Sequence, residues 1–297
     1  MNVVECNGLI KSYGKFKALD NVSVSIKENK ITGLIGRNGA GKTTFLKILA
    51  GFWRESFGEV KVFNEKPFNN LVVSANTILI DEYMNFPDSL TLGEILEFGE
   101  RFYEKWDSNF AHRLFKYFSF DEKQFYQNLS KGKRSTFNVI VGLSSRCALT
   151  LFDEPTTGMD AAVRKDFYRA LLKDYLANPR TIIISSHHLE EIEDILEDIL
   201  LIEKGQTYFH LPIEDVKEYA VGLVGRTSVI QQWIYDKEVI FNQQITDDDS
   251  YVVLKNKYPT EELKRLGFKI TPVTPNDLCV YLTNKTTGGI DDVFSKE

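Results

Sequence analysis

Cysteine is scarce: Cys6, Cys147 and Cys279 are the three in 297 residues, widely spaced and odd in number. That usage excludes a disulfide framework and a thiolate zinc site, and it fits a reducing compartment. No apolar run approaches the roughly 20 residues that a membrane-spanning helix needs. The amino terminus carries Glu5 and lacks the basic-then-apolar order of a secretory leader. Dense Lys/Arg tracts are also missing, and 36 basic against 42 acidic side chains leave a formal net charge of -6. Nucleic acid is therefore not expected as a partner. Together these absences predict a soluble, cytoplasmic chain whose only route to a membrane is through another protein.

Apolar residues make up 43% of the chain, with 21 Phe and 13 Tyr among them. That is ample for a sizeable core, and the length suits one large domain or two ordinary ones. Up to about Leu211, short β-branched runs alternate with helical patterns. Ile31–Ile35 reads as a buried strand, followed by glycines and then Phe45, Leu46, Ile48 and Leu49 at helical spacing. Leu149–Phe152 and Thr181–Ser185 are further buried runs, each with a helical pattern after it. The expected fold is α/β, a mostly parallel sheet covered on both faces, with ligands beyond the carboxyl ends of the strands. From about Pro87 to Gly142 aromatic-rich helix formers replace the strand signals, which predicts an inserted helical subdomain. From about Ile213 to Glu297 a separate small α+β unit is expected, with a strand at Ser250–Leu254 beside the acidic turn Asp247-Asp248-Asp249. The last dozen residues, rich in Thr, Gly and Asp, are expected to fray.

Gly36-Arg37-Asn38-Gly39-Ala40-Gly41-Lys42-Thr43-Thr44 matches G-x-x-x-x-G-K-[ST] in full. Glycines let such a loop wrap phosphate oxygens with inward-pointing N–H groups, and a helix opening near Lys42 aims its positive end at the same place. Lys42 then reaches the β- and γ-phosphates, and the Thr43 hydroxyl can bind Mg²⁺. A chance glycine turn would not lie between a buried strand and a helix. Leu149-Thr150-Leu151-Phe152 ends in Asp153-Glu154-Pro155. Asp153 is placed to hold Mg²⁺, and Glu154 to polarise an attacking water as a general base.

With these residues in place, the sequence resembles the ATP-binding cassette (ABC) family over about residues 1 to 211. Leu129-Ser130-Lys131-Gly132-Lys133 resembles the family signature LSGGQ, and Thr157-Gly158-Met159-Asp160 its D-loop. Ser185-Ser186-His187 resembles the switch-histidine motif. His188 is adjacent, and the motif's spacing favours His187. Tyr13, in Lys11-Ser12-Tyr13-Gly14, sits where the family stacks an aromatic on adenine. Glu82, in Ile80-Asp81-Glu82-Tyr83-Met84, lies near the position of the family's Q-loop glutamine and replaces it, and a carboxylate there still takes Mg²⁺ or water. Ser130 and Gly132 are expected at a helix amino terminus, which makes a second anion site; the plain alternative for Ser130 is an ordinary N-cap.

The resemblance implies ATP hydrolysis with Mg²⁺ and head-to-tail pairing of two cassettes with ATP sandwiched between them. Partners are then a second cassette and separately encoded transmembrane subunits, the latter meeting the aromatic segment Phe86 to Phe120. Those aromatics also suit a plain subdomain core. The signature departs from the family at Lys131 and Lys133. Lys-Gly at this point, with the C-terminal extension, resembles bacterial exporter ATPases that handle bacitracin-like peptides. A soluble ABC ATPase acting on ribosomes or DNA is the second reading, disfavoured by one phosphate loop, no long heptad run and net acidity. A small-molecule kinase or GTPase leaves Leu129–Lys133 unexplained, and no guanine-reading Asn-Lys-x-Asp occurs.

Overall fold

The computed structural model describes residues 1–283, so the tail expected to fray lies outside the described residues. The chain divides into two compact units after His210.

The first unit is built on a six-stranded sheet in the order Thr77–Ile80, Leu149–Asp153, Thr181–Ser186, Ile31–Ile35, Asp198–Glu203, Gln206–Pro212. The first five run parallel. Every residue in the first four is buried, which is why they read as continuous β-branched runs and not as alternations. The sixth strand is added across the two-residue turn Lys204-Gly205, both at positive φ (49° and 77°), the geometry of a tight hairpin.

A second, antiparallel sheet joins Phe16–Lys27, Asn2–Tyr13 and Phe57–Val62 in that order. The expectation of a mostly parallel fold did not include it. Its signal is a clean period of two: Val22, Val24 and Ile26 are buried while Ser23, Ser25 and Lys27 face out. Leu9, Val22, Ile26 and Val62 from this sheet share one core with Leu34, Leu151, Ile183 and the buried face of helix Lys42–Leu49.

Between strands Thr77–Ile80 and Leu149–Asp153 lie the helices Leu92–Phe102, Ser108–Tyr117 and Lys131–Ser145. Phe137 is fully buried at their centre, with the rings of Phe86, Phe115, Phe120 and Tyr126 all within 6.3 Å of it, centroid to centroid. These aromatics are core. Phe102 and Tyr117, by contrast, are 77% and 63% exposed. The helical pattern read after Thr181–Ser186 is a correction: the chain forms two 3-10 turns, Leu189–Glu191 and Glu193–Ile195. Glu190, Glu191, Glu193 and Asp194 would crowd like charges at helical neighbours, whereas two short turns still bury Leu189 and Ile192.

The second unit pairs Val239–Gln244, Asp249–Lys255, Ala220–Arg226 and Lys269–Pro272 as an antiparallel sheet in that order. Helices Thr227–Ile234 and Thr260–Arg265 complete a β-α-β-β-α-β sequence, the split ferredoxin-like arrangement. Asp247 and Asp248 lie in the hairpin connection and Asp249 opens the strand. Leu223, Ile230, Val252, Leu254 and Phe268 form its core.

Candidate active site

Strand register assembles the site. Ile35 pairs with Ser186 and Asp153 with Ser185, so three parallel strands end side by side. The loop Gly36–Gly41 leaves strand Ile31–Ile35 and opens into helix Lys42–Leu49. A Cβ at Gly36 would stand 2.3 Å from the Ile202 carbonyl oxygen, and one at Gly41, whose φ is +108°, would stand 2.5 Å from that of Ala18. Only glycine fits either place.

Four other helices of eight or more residues in this unit are closed by their own side chains, with Thr91, Asp107, Ser130 and Asp160 as N-caps. Helix Lys42–Leu49 starts from Gly41 with no side-chain cap. Its free N–H groups and positive end are left for an external anion. Lys42 is buried in the same loop, and its Nζ donates to the Gly36 and Arg37 carbonyls at 2.7 and 3.3 Å. Burial of this ammonium lowers its pKa, an effect that the nearby Glu154 and Asp153 carboxylates partly offset. A buried cation beside an uncapped helix end and a loop that admits no Cβ fit a nucleotide's phosphates.

Around this loop the polar groups form a chain. Thr43 Oγ1 donates to Asp153 Oδ2 at 2.6 Å, and Ser185 Oγ donates to Asp153 Oδ1 at 2.5 Å. The Glu154 N–H in turn donates to Ser185 Oγ at 2.9 Å. Glu154 has φ 48°, a left-handed conformation unusual for a residue other than Gly, Asn or Asp. Its carboxylate spans two partners, Oε1 at 3.6 Å from Lys42 Nζ and Oε2 at 3.2 Å from His187 Nδ1. Of the adjacent histidines, His187 is thus the one set against Glu154, while the His188 N–H donates to Ser186 Oγ. Thr43 and Asp153 present a hydroxyl and a carboxylate within hydrogen-bond reach, a hard-oxygen donor set that fits Mg²⁺.

A cavity of about 420 Å³ lies over the loop, lined among others by Asn38, Gly39, Gly41, Lys42, Thr43, Thr44, Glu82, Asp153 and Glu154. Gly36 and the buried Ala40 support the loop from behind, since a Cβ at Gly36 would also meet the Ala40 side chain. Tyr13 is not part of the lining. It is 45% exposed and packs edge-on against Trp53. Its hairpin partner Phe16 takes the place at the cavity wall, with Tyr83 and Thr157. Sequence reasoning missed Phe16, although its aromatic ring beside a Gly14 turn was a usable signal. Ser130 and Gly132 lie away from this cavity. Ser130 Oγ accepts from the Lys133 N–H at 3.3 Å, and a Cβ at Gly132 would stand 2.3 Å from the Gly158 carbonyl oxygen. The signature helix and the loop after Glu154 are therefore packed together, with Ser135 Oγ donating to the Thr157 carbonyl at 2.7 Å.

Fold and site define a P-loop ATPase of the α/β class. Residues 19–157 match the family model described as ABC transporter, and the chain is an ATP-binding cassette protein of that family, an ATPase. It is similar to the ABC transporter ATP-binding protein YtrB of Bacillus subtilis (strain 168), 29% identical over 94% of this chain and 95% of that protein. It is also similar to the bacitracin transport ATP-binding protein BcrA of Bacillus licheniformis, 29% identical over 73% of this chain and 72% of that one. Among solved structures, the ATP-binding subunit of an ABC transporter matches at a TM-score of 0.65 and 21% identity, covering 72% of this chain and 92% of that chain. A dimeric post-hydrolysis cassette, MJ0796 bound to ADP and Pi, matches at 0.63 and 20%, covering 71% of this chain and 98% of that chain.

Proposed function

We propose that this chain is the motor subunit of an exporter for a peptide or amphiphilic antimicrobial, working at the cytoplasmic face of the membrane through separately encoded transmembrane subunits. Residues 1–211 would form the ATPase domain, with 87–142 as its helical subdomain and 212–297 as an accessory domain. Among the described residues no helix is long and apolar enough to cross a membrane, so a partner would have to supply the crossing. The cargo class rests on the likeness to BcrA and on Lys131-Gly132 in the signature.

The observation that carries the catalytic reading is the uncapped helix at Gly41-Lys42 facing Asp153-Glu154. In this reading Lys42 and the loop N–H groups bind the phosphates, with Tyr13 or Phe16 against the adenine. Thr43, Asp153 and Glu82 would hold Mg²⁺, whose charge would offset that of the β- and γ-phosphate oxygens. Glu154 takes the proton of the attacking water as general base, and His187, against Oε2, orients that carboxylate and the γ-phosphate side of the site. Ser130 and Gly132 would meet the ATP of a second, head-to-tail cassette.

A membrane partner has a candidate seat between the sheet and the helices. A cleft of about 470 Å³ is lined by Lys47, Phe52, Leu79, Tyr83, Met84 and Tyr103, among others, and an inserted amphipathic helix of the partner suits it. Substituting Phe52, 61% exposed, by Asp tests the seat. ATP turnover of the isolated chain should persist while co-purification with its transmembrane subunits is lost; retained co-purification would remove this cleft from the role.

A further inference from the structure

Two of the three positions at which the chain departs from the ABC pattern, Glu82 and Lys131, meet in space. Glu82 stands near the Q-loop glutamine and Lys131 replaces the first signature glycine. Lys131 Nζ lies 3.3 Å from Glu82 Oε2, across 49 residues of sequence. Glu82 belongs to the wall of the nucleotide cavity, and Lys131 is the first residue of the helix that Ser130 caps. A cation there opposes the helix dipole, so its favourable partner must be an anion from elsewhere. The neighbouring Lys133 is committed, donating to the Phe118 carbonyl at 2.7 Å with its Nζ 4.7 Å from the Phe120 ring centroid. Asp81, beside Glu82, is taken by Lys47 at 3.4 Å. Lys131 and Glu82 are both about half exposed, and a pair of that kind biases an equilibrium by a factor of about five at most. It is strong enough to set a resting position and weak enough to be exchanged.

We propose that Lys131 is a positioning residue for Glu82: its ammonium holds that carboxylate at the signature helix and releases it when a phosphate arrives over Ser130. The proposal rests on the pairing of two cassettes, in which that phosphate belongs to the partner's ATP. A carboxylate engaged by an ammonium holds a divalent cation less well. Nucleotide at one composite site therefore frees Glu82 for the cation of the other, and by linkage the cation at the second favours nucleotide at the first.

The test uses the full chain with Lys131→Met, Glu82→Gln and the double variant. The first readout is the Mg²⁺ concentration giving half-maximal binding of a fluorescent ATP analogue to dilute, monomeric protein. Lys131→Met should lower it by about two- to fivefold. The same substitution in the Glu82→Gln background should leave it unchanged. No shift in either background, or equal shifts in both, overturns the proposal. The second readout is ATP-driven dimerisation on a sizing column in a Glu154→Gln background, where dimers are expected and should form at lower ATP with Lys131 present than with Met. Dimers that form equally well with Met overturn the release step alone. Absent dimers in both chains overturn the paired-cassette reading and the release step with it, whatever the Mg²⁺ result.

Discussion

Two helix ends in the first unit invite an anion, and they are prepared in opposite ways. Helix Lys42–Leu49 begins at a left-handed glycine with no side-chain cap and a buried lysine beside it. Helix Lys131–Ser145 begins at Ser130, whose own hydroxyl accepts the Lys133 N–H, and its first residue is an exposed lysine paired with Glu82. In the proposed function the first end serves as a ready receptor, its loop shaped by glycines where no Cβ fits and its cation already buried. The second is closed on itself until something displaces its internal partners. One end suits a nucleotide held by this chain alone, the other a phosphate presented from outside.

Substitutions can break this contrast in order of effect. Glu154→Gln should slow turnover by about 10²- to 10⁴-fold, the contribution of general base catalysis, while ATP still binds. Near-normal turnover would remove Glu154 from that role. Lys42→Ala should weaken ATP binding in the monomer by about 10- to 100-fold, as loss of a charge-assisted contact to phosphate. Unchanged affinity by equilibrium titration would mean that the open helix end is not the receptor.

Much of this site was legible because it is local. The loop from Gly36 to Thr44 and the pair Asp153-Glu154 are contiguous, and each follows a fully buried strand whose apolar run marks the end of the sheet. What sequence could not supply is lateral. The parallel register that brings Ser185 to Asp153, the Phe16 ring at the cavity wall and the Glu82–Lys131 pair all depend on neighbours far apart in the chain. The antiparallel sheet of the first unit went unread although Val22, Val24 and Ile26 alternate plainly, because the βα pattern around it dominated. In the second unit only the strand near Ser250–Leu254 was marked. The ferredoxin-like order rests on pairings of Ala220–Arg226 with two strands that follow it, which no local pattern encodes.

Smaller effects sharpen the contrast from the capped end. Ser130→Ala should cost about 1 kcal/mol of folding stability by loss of the cap, read by denaturant unfolding, with monomer ATP affinity unchanged. A bulky replacement at Ser130 should spare monomer binding and abolish ATP-driven dimers. Smallest is the thiol response: all three cysteines are free and buried, with burial pushing Cys6 and Cys279 to about 12 and Cys147 to about 11. At pH 8 the native chain should leave a thiol reagent almost unreacted, whereas the unfolded chain titrates all three.

The most direct test of the paired-cassette account is ATP turnover per chain measured against protein concentration, with Glu154→Gln as control. The account predicts that turnover per chain rises with concentration as dimers form and is lost in the control. Turnover per chain that stays constant from dilute to concentrated protein would contradict it, because a single cassette would then contain the whole site.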